Sequence, residues 1–272
     1  MKHKYLTAIV LIMMASACTK TQNTELTTSP AAETTNLALS STYIPKVCID
    51  KRIANANGSI STDAVLEKAK KWPNGKILKV YFLNGSAFFQ DKVMKYASVW
   101  SAYANIKFVK TTNRASSDLR VGFKWHKDES SWSVVGSEAV DVPKNEQTIN
   151  FGWFDSTTEE REFSRVITHE IGHAIGLVHE HSSPVAAIKW DKPKVYAYYA
   201  GEPNNWSKED VDDQIFLKYS KAETQYTAFD AKSIMEYPVD AFLTTDHKAI
   251  GYNYYLSAMD KTFIATVYPI KK

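Results

Sequence analysis

The chain has 272 residues, 44% apolar and 23% charged, the mix of a soluble globular protein large enough to bury a substantial core. Its net charge of +3 is too small to argue for nucleic acid or an anionic membrane surface as the partner. The many Tyr, Phe and Trp residues are accounted for by core packing, and no internal repeat is visible.

Lys2 and Lys4 precede an apolar run over residues 6–14, and Ala15-Ser16-Ala17 leads into Cys18. That is the layout of an export signal over residues 1–17, whose apolar run is too short for a permanent membrane span. Small residues running directly into a cysteine resemble the lipobox of bacterial lipoproteins. The resemblance implies a lipid on Cys18 and a chain anchored at the outer membrane or cell surface. Plain secretion, with cleavage near Ala17, is the alternative. With Cys18 lipidated, only Cys48 remains and no internal disulfide forms. Residues 18–42, rich in Thr, Ser, Asn and Ala, read as a flexible linker. Residues 43–71 read as a pro-segment or N-terminal extension, with an apolar cluster (Tyr43, Ile44, Val47, Ile49) and helical spacing over 63–71.

Residues 72–272 read as one domain. Pro73-Asn74-Gly75 introduces a strand over 76–83. Phe89, Val93, Tyr96 and Trp100, at three- and four-residue steps, predict a helix over 86–104. Strands are expected over 106–110, 118–123 and 148–151, with a further one at 131–135. A second long helix starts near Thr157, which is expected to cap it with Glu160 reaching back, and carries the stripe Phe163, Ile167, Ile171, Ala174. After Gly176 periodicity weakens until helical spacing returns over 256–268. The order predicts an α+β domain in two lobes: a twisted mixed sheet with two long helices, then a loop-rich half, with the second helix along the cleft.

The chemistry is concentrated in residues 169–179, His-Glu-Ile-Gly-His-Ala-Ile-Gly-Leu-Val-His. His169 and His173 are four apart and share a helix face, so both imidazoles can reach one Zn²⁺ ion. Glu170 projects beside that ion, where a general base for an activated water is needed. Catalytic zinc takes three protein ligands and keeps one position open. The third cannot come from the same face, so the chain must turn. Gly176 suits the turn because it adopts positive φ without a Cβ clash, and His179 then approaches from another side.

The extended pattern resembles that of the metzincin metallopeptidases, and His179-Glu180-His181 is similar to the astacin family. The match runs from about Trp72 to Pro269. It includes a Met-turn, Ser233-Ile234-Met235-Glu236-Tyr237, and a closing Leu256-Ser257-Ala258-x-Asp260. The resemblance implies a zinc endopeptidase acting on proteins or peptides, expected to be a monomer, with 72–272 as its catalytic domain. It implies Met235 as an apolar floor under the ligands, and Tyr237 as a switchable ligand that hydrogen-bonds the oxyanion. It implies that Glu180 meets the N-terminus of the processed enzyme, although a plain surface carboxylate remains the other reading. His181 is read as flanking the site or at the surface, not as a ligand. The chain departs from the family where Ser182-Ser183-Pro184-Val185 replaces an Arg- and Asp-rich stretch, and where Glu236 stands in place of His.

Cys48 lies in the apolar patch of the pro-segment. A thiolate is a good zinc ligand, so Cys48 is a candidate for filling the open position and keeping the enzyme latent. Asp50 or Asp63 could serve instead, and a plain buried cysteine is the alternative. A substrate peptide is expected to lie extended along an edge strand at 131–135. A non-catalytic zinc-binding surface protein and a zinc hydrolase of another bond are the competing classes.

Overall fold

The computed structural model describes residues 48–51, 70–202, 204–221 and 225–270, all within one compact unit, Ile44–Lys272. The expected signal over 1–17, the lipidated Cys18, the linker, and the helix at 63–71, apart from Lys70 and Lys71, lie outside the described residues.

The described chain opens with a short strand, β1 (Ile49–Lys51). Strand β2 (Ile77–Phe82) alternates as its sequence predicts, burying Leu78 and Val80 and turning Ile77 and Lys79 outward. Helix α1 (Ala87–Ser101) follows and buries Val93, Tyr96, Ala97 and Trp100. Strands β3 (Lys107–Lys110), β4 (Leu119–Phe123), β5 (Trp132–Val134) and β6 (Ile149–Phe151) fall where sequence places them, trimmed by a residue or so at their ends. The six strands form one sheet in the order β1-β5-β6-β4-β2-β3. All neighbours are parallel except the antiparallel pair β5 and β6. Helix α2 (Glu160–Ala174) packs against α1, and the main core gathers Trp100, Leu119, Val121, Phe151, Ile167 and Ile171 around them. Each such side chain contributes about 1.5–3 kcal/mol by leaving water.

The start of α2 corrects the expected cap. Its N-cap is Glu159, not Thr157, and no side chain caps it. Asp155 captures Thr157 instead, accepting from its N–H at 2.8 Å and its hydroxyl at 2.7 Å in a local turn. Glu160 does not reach back. Lys92, Lys95 and Tyr96 of α1 draw its carboxylate across the interhelical gap. Those three donors hold it down at about 2.

The half after Gly176 holds short helices that periodicity did not reveal: α3 (Lys192–Tyr199) and α4 (Lys208–Val211), which runs into a π turn at Asp212–Phe216. Helix α3 buries Val195 and Tyr199 while Tyr196 and Tyr198 pack on aromatic neighbours, so it has no clean polar face. Val195, Tyr199, Val211, Ile215, Val239 and Leu243 form a second core that includes Cys48 and Tyr237. Helix α5 (Ala258–Val267) closes the domain from a capping box between Ser257 and Asp260. No described helix is long and apolar enough to cross a membrane.

Candidate metal centre and cleft

Helix α2 supplies the first two donors. The Nε2 atoms of His169 and His173 stand 3.1 Å apart. Gly172 lies between them on α2, where a Cβ would meet the Met235 sulfur at 2.4 Å. A glycine in a helix costs about 1 kcal/mol against alanine, and here it admits the methionine that underlies the site. The helix then ends as a Schellman motif. Gly176, at φ +98°, donates to the His173 carbonyl at 2.8 Å, and Leu177 donates to Gly172 at 3.0 Å. The turn brings His179 round until its Nε2 is 3.2 Å from both other Nε2 atoms.

This triangle fits zinc. Ligands at about 2.0–2.1 Å on tetrahedral corners stand about 3.3 Å apart. His169 Nδ1 faces the Ile234 carbonyl at 2.7 Å, and His173 Nδ1 faces the Leu177 carbonyl at 2.9 Å. A carbonyl only accepts, so each Nδ1 carries the proton and each Nε2 presents a lone pair. Burial above all, then the neighbouring His173 and His179 rings, hold His169 well below the usual histidine range. It is therefore neutral, as a ligand must be. Converging lone pairs repel one another unless a cation lies between them.

Glu170 is fully buried, with Oε2 3.1 Å from the sulfur of Cys48. The ligand atoms of Cys48, His169, His173 and His179 all lie within 4.8 Å of one another. Cys48 thus lies beside the three histidines. Asp63 lies outside the described residues. The Tyr237 hydroxyl donates to the Cys48 carbonyl, and its ring lies 4.3 Å from that of His179, centre to centre. Beyond Cys48 the chain continues as β1, which pairs in parallel with β5, Ile49 opposite Trp132 and Lys51 opposite Val134. The outer side of the strand expected to receive substrate is therefore taken by the chain itself.

The Met-turn is held from below. Asp260 accepts from the Ser233 hydroxyl at 2.6 Å, the Ile234 N–H at 2.9 Å and the Ser257 N–H at 2.9 Å. Met235 is buried, and its carbonyl accepts from Glu180 N–H at 3.0 Å. Neither Asp260 nor Ser233 was assigned a role from sequence. The Ser257-x-x-Asp260 capping box was the signal available. Sequence likewise gives Trp72 no function, yet its indole donates to the Ala174 carbonyl at 2.8 Å, and Tyr268 donates to the Ile175 carbonyl at 2.7 Å. Together they cap the end of α2.

Glu180 is half-buried rather than a plain surface carboxylate, accepting from the Asp230 N–H at 2.8 Å. Burial pushes it up to about 7, against the pull of that N–H and with the help of Glu236 and Asp260. It lines a cavity of about 310 Å³ with Lys71, Gly176, His179, Asp230, Met235 and Phe263. His181 is fully buried, and is not among the clustered ligands; its Nε2 faces the Gln214 carbonyl at 2.8 Å.

The family model for the astacin peptidases matches residues 64–268. The chain belongs to the astacin family. The fold agrees. The astacin-like chain is 48% identical to a solved structure of myroilysin, with a TM-score of 0.72 over 75% of this chain and 98% of that one. A second myroilysin crystal structure is 46% identical, with a TM-score of 0.61 over 83% and 91%. High choriolytic enzyme 1, a hatching-enzyme zinc protease from the medaka fish Oryzias latipes, is 17% identical with a TM-score of 0.53 over 75% and 96%, a likeness of fold alone. A search of curated proteins found no match. As a member of this family the chain is a metzincin zinc metalloendopeptidase, and His169, His173 and His179 fit its catalytic zinc.

Proposed function

We propose that this endopeptidase uses Glu170 as its general base and Tyr237 as its oxyanion donor, and that Cys48 holds it latent. One observation carries the reading: three Nε2 atoms 3.1–3.2 Å apart, with the buried Glu170 the next residue after His169 on the same helix. Zinc at those nitrogens supplies the Lewis acidity that makes a water nucleophilic near neutral pH. Glu170 takes the proton as that water attacks the scissile carbonyl, then delivers it to the departing amine. Tyr237, whose hydroxyl already donates to a peptide carbonyl, donates to the substrate's carbonyl oxygen as charge builds there. Met235 is the apolar floor beneath the ligands.

Latency follows from three contacts by one residue. The Cys48 sulfur joins the three histidines and meets Glu170, and its carbonyl occupies Tyr237. With Cys48 the donor set reaches four, the number of a closed zinc site. Strand β1 meanwhile lies along β5, where a substrate strand pairs once β1 has left. Removal of this segment opens metal, base and edge together, and Glu180 with its cavity receives the N-terminus of the processed chain. We further propose an export signal over residues 1–17, a lipid anchor on Cys18, extracellular or periplasmic protein substrates and a monomeric enzyme.

Glu170→Gln is expected to keep stoichiometric zinc and lose roughly a thousandfold in turnover on a casein substrate. Substantial residual activity would refute Glu170 as the base. Cys48→Ser is expected to raise peptidase activity before processing, and no gain would remove Cys48 from the account of latency.

A further inference from the structure

Where the family's Met-turn usually carries His, this chain has Glu236, and the carboxyl is fully buried. Its Oε1 accepts from the Tyr237 N–H at 3.0 Å and lies 3.6 Å from Nδ1 of His181, itself fully buried. The His181 ring stacks on that of His179, with centroids 5.1 Å apart and planes 18° apart, and the Tyr237 ring lies 4.7 Å from it on centroids. The rest of His181 is fixed by contacts outside the Met-turn. Its Nε2 faces the Gln214 carbonyl at 2.8 Å, and its own carbonyl accepts from Lys218, which also reaches the Ala186 carbonyl at 3.1 Å. One carboxyl oxygen therefore touches both the main chain that carries Tyr237 and the ring on which its phenol leans.

Burying a carboxyl costs several kcal/mol, and an apolar side chain of the same size would favour folding more. What the carboxyl contributes is position. We infer that Glu236 is a positioning residue for Tyr237: its Oε1, bonded to the Tyr237 N–H and set against His181, fixes the direction of the phenol hydroxyl toward the carbonyl being cleaved. This rests on the reading of Tyr237 as oxyanion donor. A displacement of about 1 Å of such a group is enough to lose up to a hundredfold in rate.

The test is a kinetic cycle on the zinc-loaded full chain, every variant receiving the same activating treatment as the parent. Glu236→Met, which removes the acceptor, is expected to lower kcat about tenfold with KM and zinc content unchanged. Glu236→Gln, which keeps an acceptor oxygen, should restore most of that turnover. In a Tyr237→Phe background Glu236→Met should have no further effect, because the group it positions is gone. Should Glu236→Met not fold, His181→Gln, which removes the supporting ring, is read by the same ratios and should behave alike. A full tenfold loss added on top of Tyr237→Phe, a fall in zinc content that tracks the loss of kcat, or no loss in Glu236→Met would each overturn the inference. If Tyr237→Phe itself leaves kcat unchanged, the oxyanion reading fails and this inference falls with it. If that variant is impaired but the cycle is additive, only the role of Glu236 fails.

Discussion

The two halves of the metal centre are built differently. His169 and His173 owe their positions to a regular helix, whose backbone period alone puts residues four apart on one face. His179, Met235 and Tyr237 sit on irregular chain, where no period fixes a direction. Side chains fix it instead. Asp260 gathers three donors under the Met-turn, Trp72 and Tyr268 cap the last turn of α2, and Glu236 joins the Tyr237 main chain to His181. Irregular chain can aim a ligand as closely as a helix does, but it needs buried polar groups to do so, and each is costly if its partner is lost.

That contrast can be broken most severely on the helical side. In the processed enzyme, with Cys48 gone, His173→Ala leaves two histidine donors, and stoichiometric zinc and all turnover should be lost, read by metal analysis of folded protein. On the irregular side Asp260→Ala should leave His169 and His173 in place while stranding Ser233 and two backbone N–H groups. The expected cost is about 3 kcal/mol in denaturant unfolding, with weakened zinc binding. A change below about 0.5 kcal/mol would mean that the Met-turn holds itself. The smallest effect belongs to the exposed link between the long helices. Glu160→Gln should cost about 0.5 kcal/mol at neutral pH. The folded value of Glu160 is lowered from 4.5 to about 2, so its stabilisation is present above 4.5 and fades as pH falls toward 2. The difference in Tm between parent and variant should close over that interval.

The same contrast explains what the sequence made legible. The helical histidines, the glycine bend and the Met-turn are local patterns and could be read as such. The α2 cap could not, because two local options competed: Asp155 captured Thr157, and three donors from α1 captured Glu160. Helix α3 was hidden because Tyr196, Tyr198 and Tyr199 are spread round it without forming an apolar stripe, and only Tyr199 is buried. Cys48 could be singled out as a candidate, but its meeting with Glu170 spans 122 residues of sequence. No spacing rule anticipates such a contact. Asp260 was visible only as part of a closing motif, and its hold on the Met-turn depends on a fold that brings residues 233 and 260 together.

The caps on α2 also order events during synthesis. The bend that delivers His179 is secured by Trp72 from one side of the sequence and Tyr268 from the other, and the Tyr268 hydroxyl accepts from the Trp72 N–H at 3.1 Å. Tyr268 leaves the ribosome 93 residues after Ile175, whose carbonyl it holds. A growing chain therefore carries all three histidines well before the residue that holds the end of α2 from the far side of the sequence.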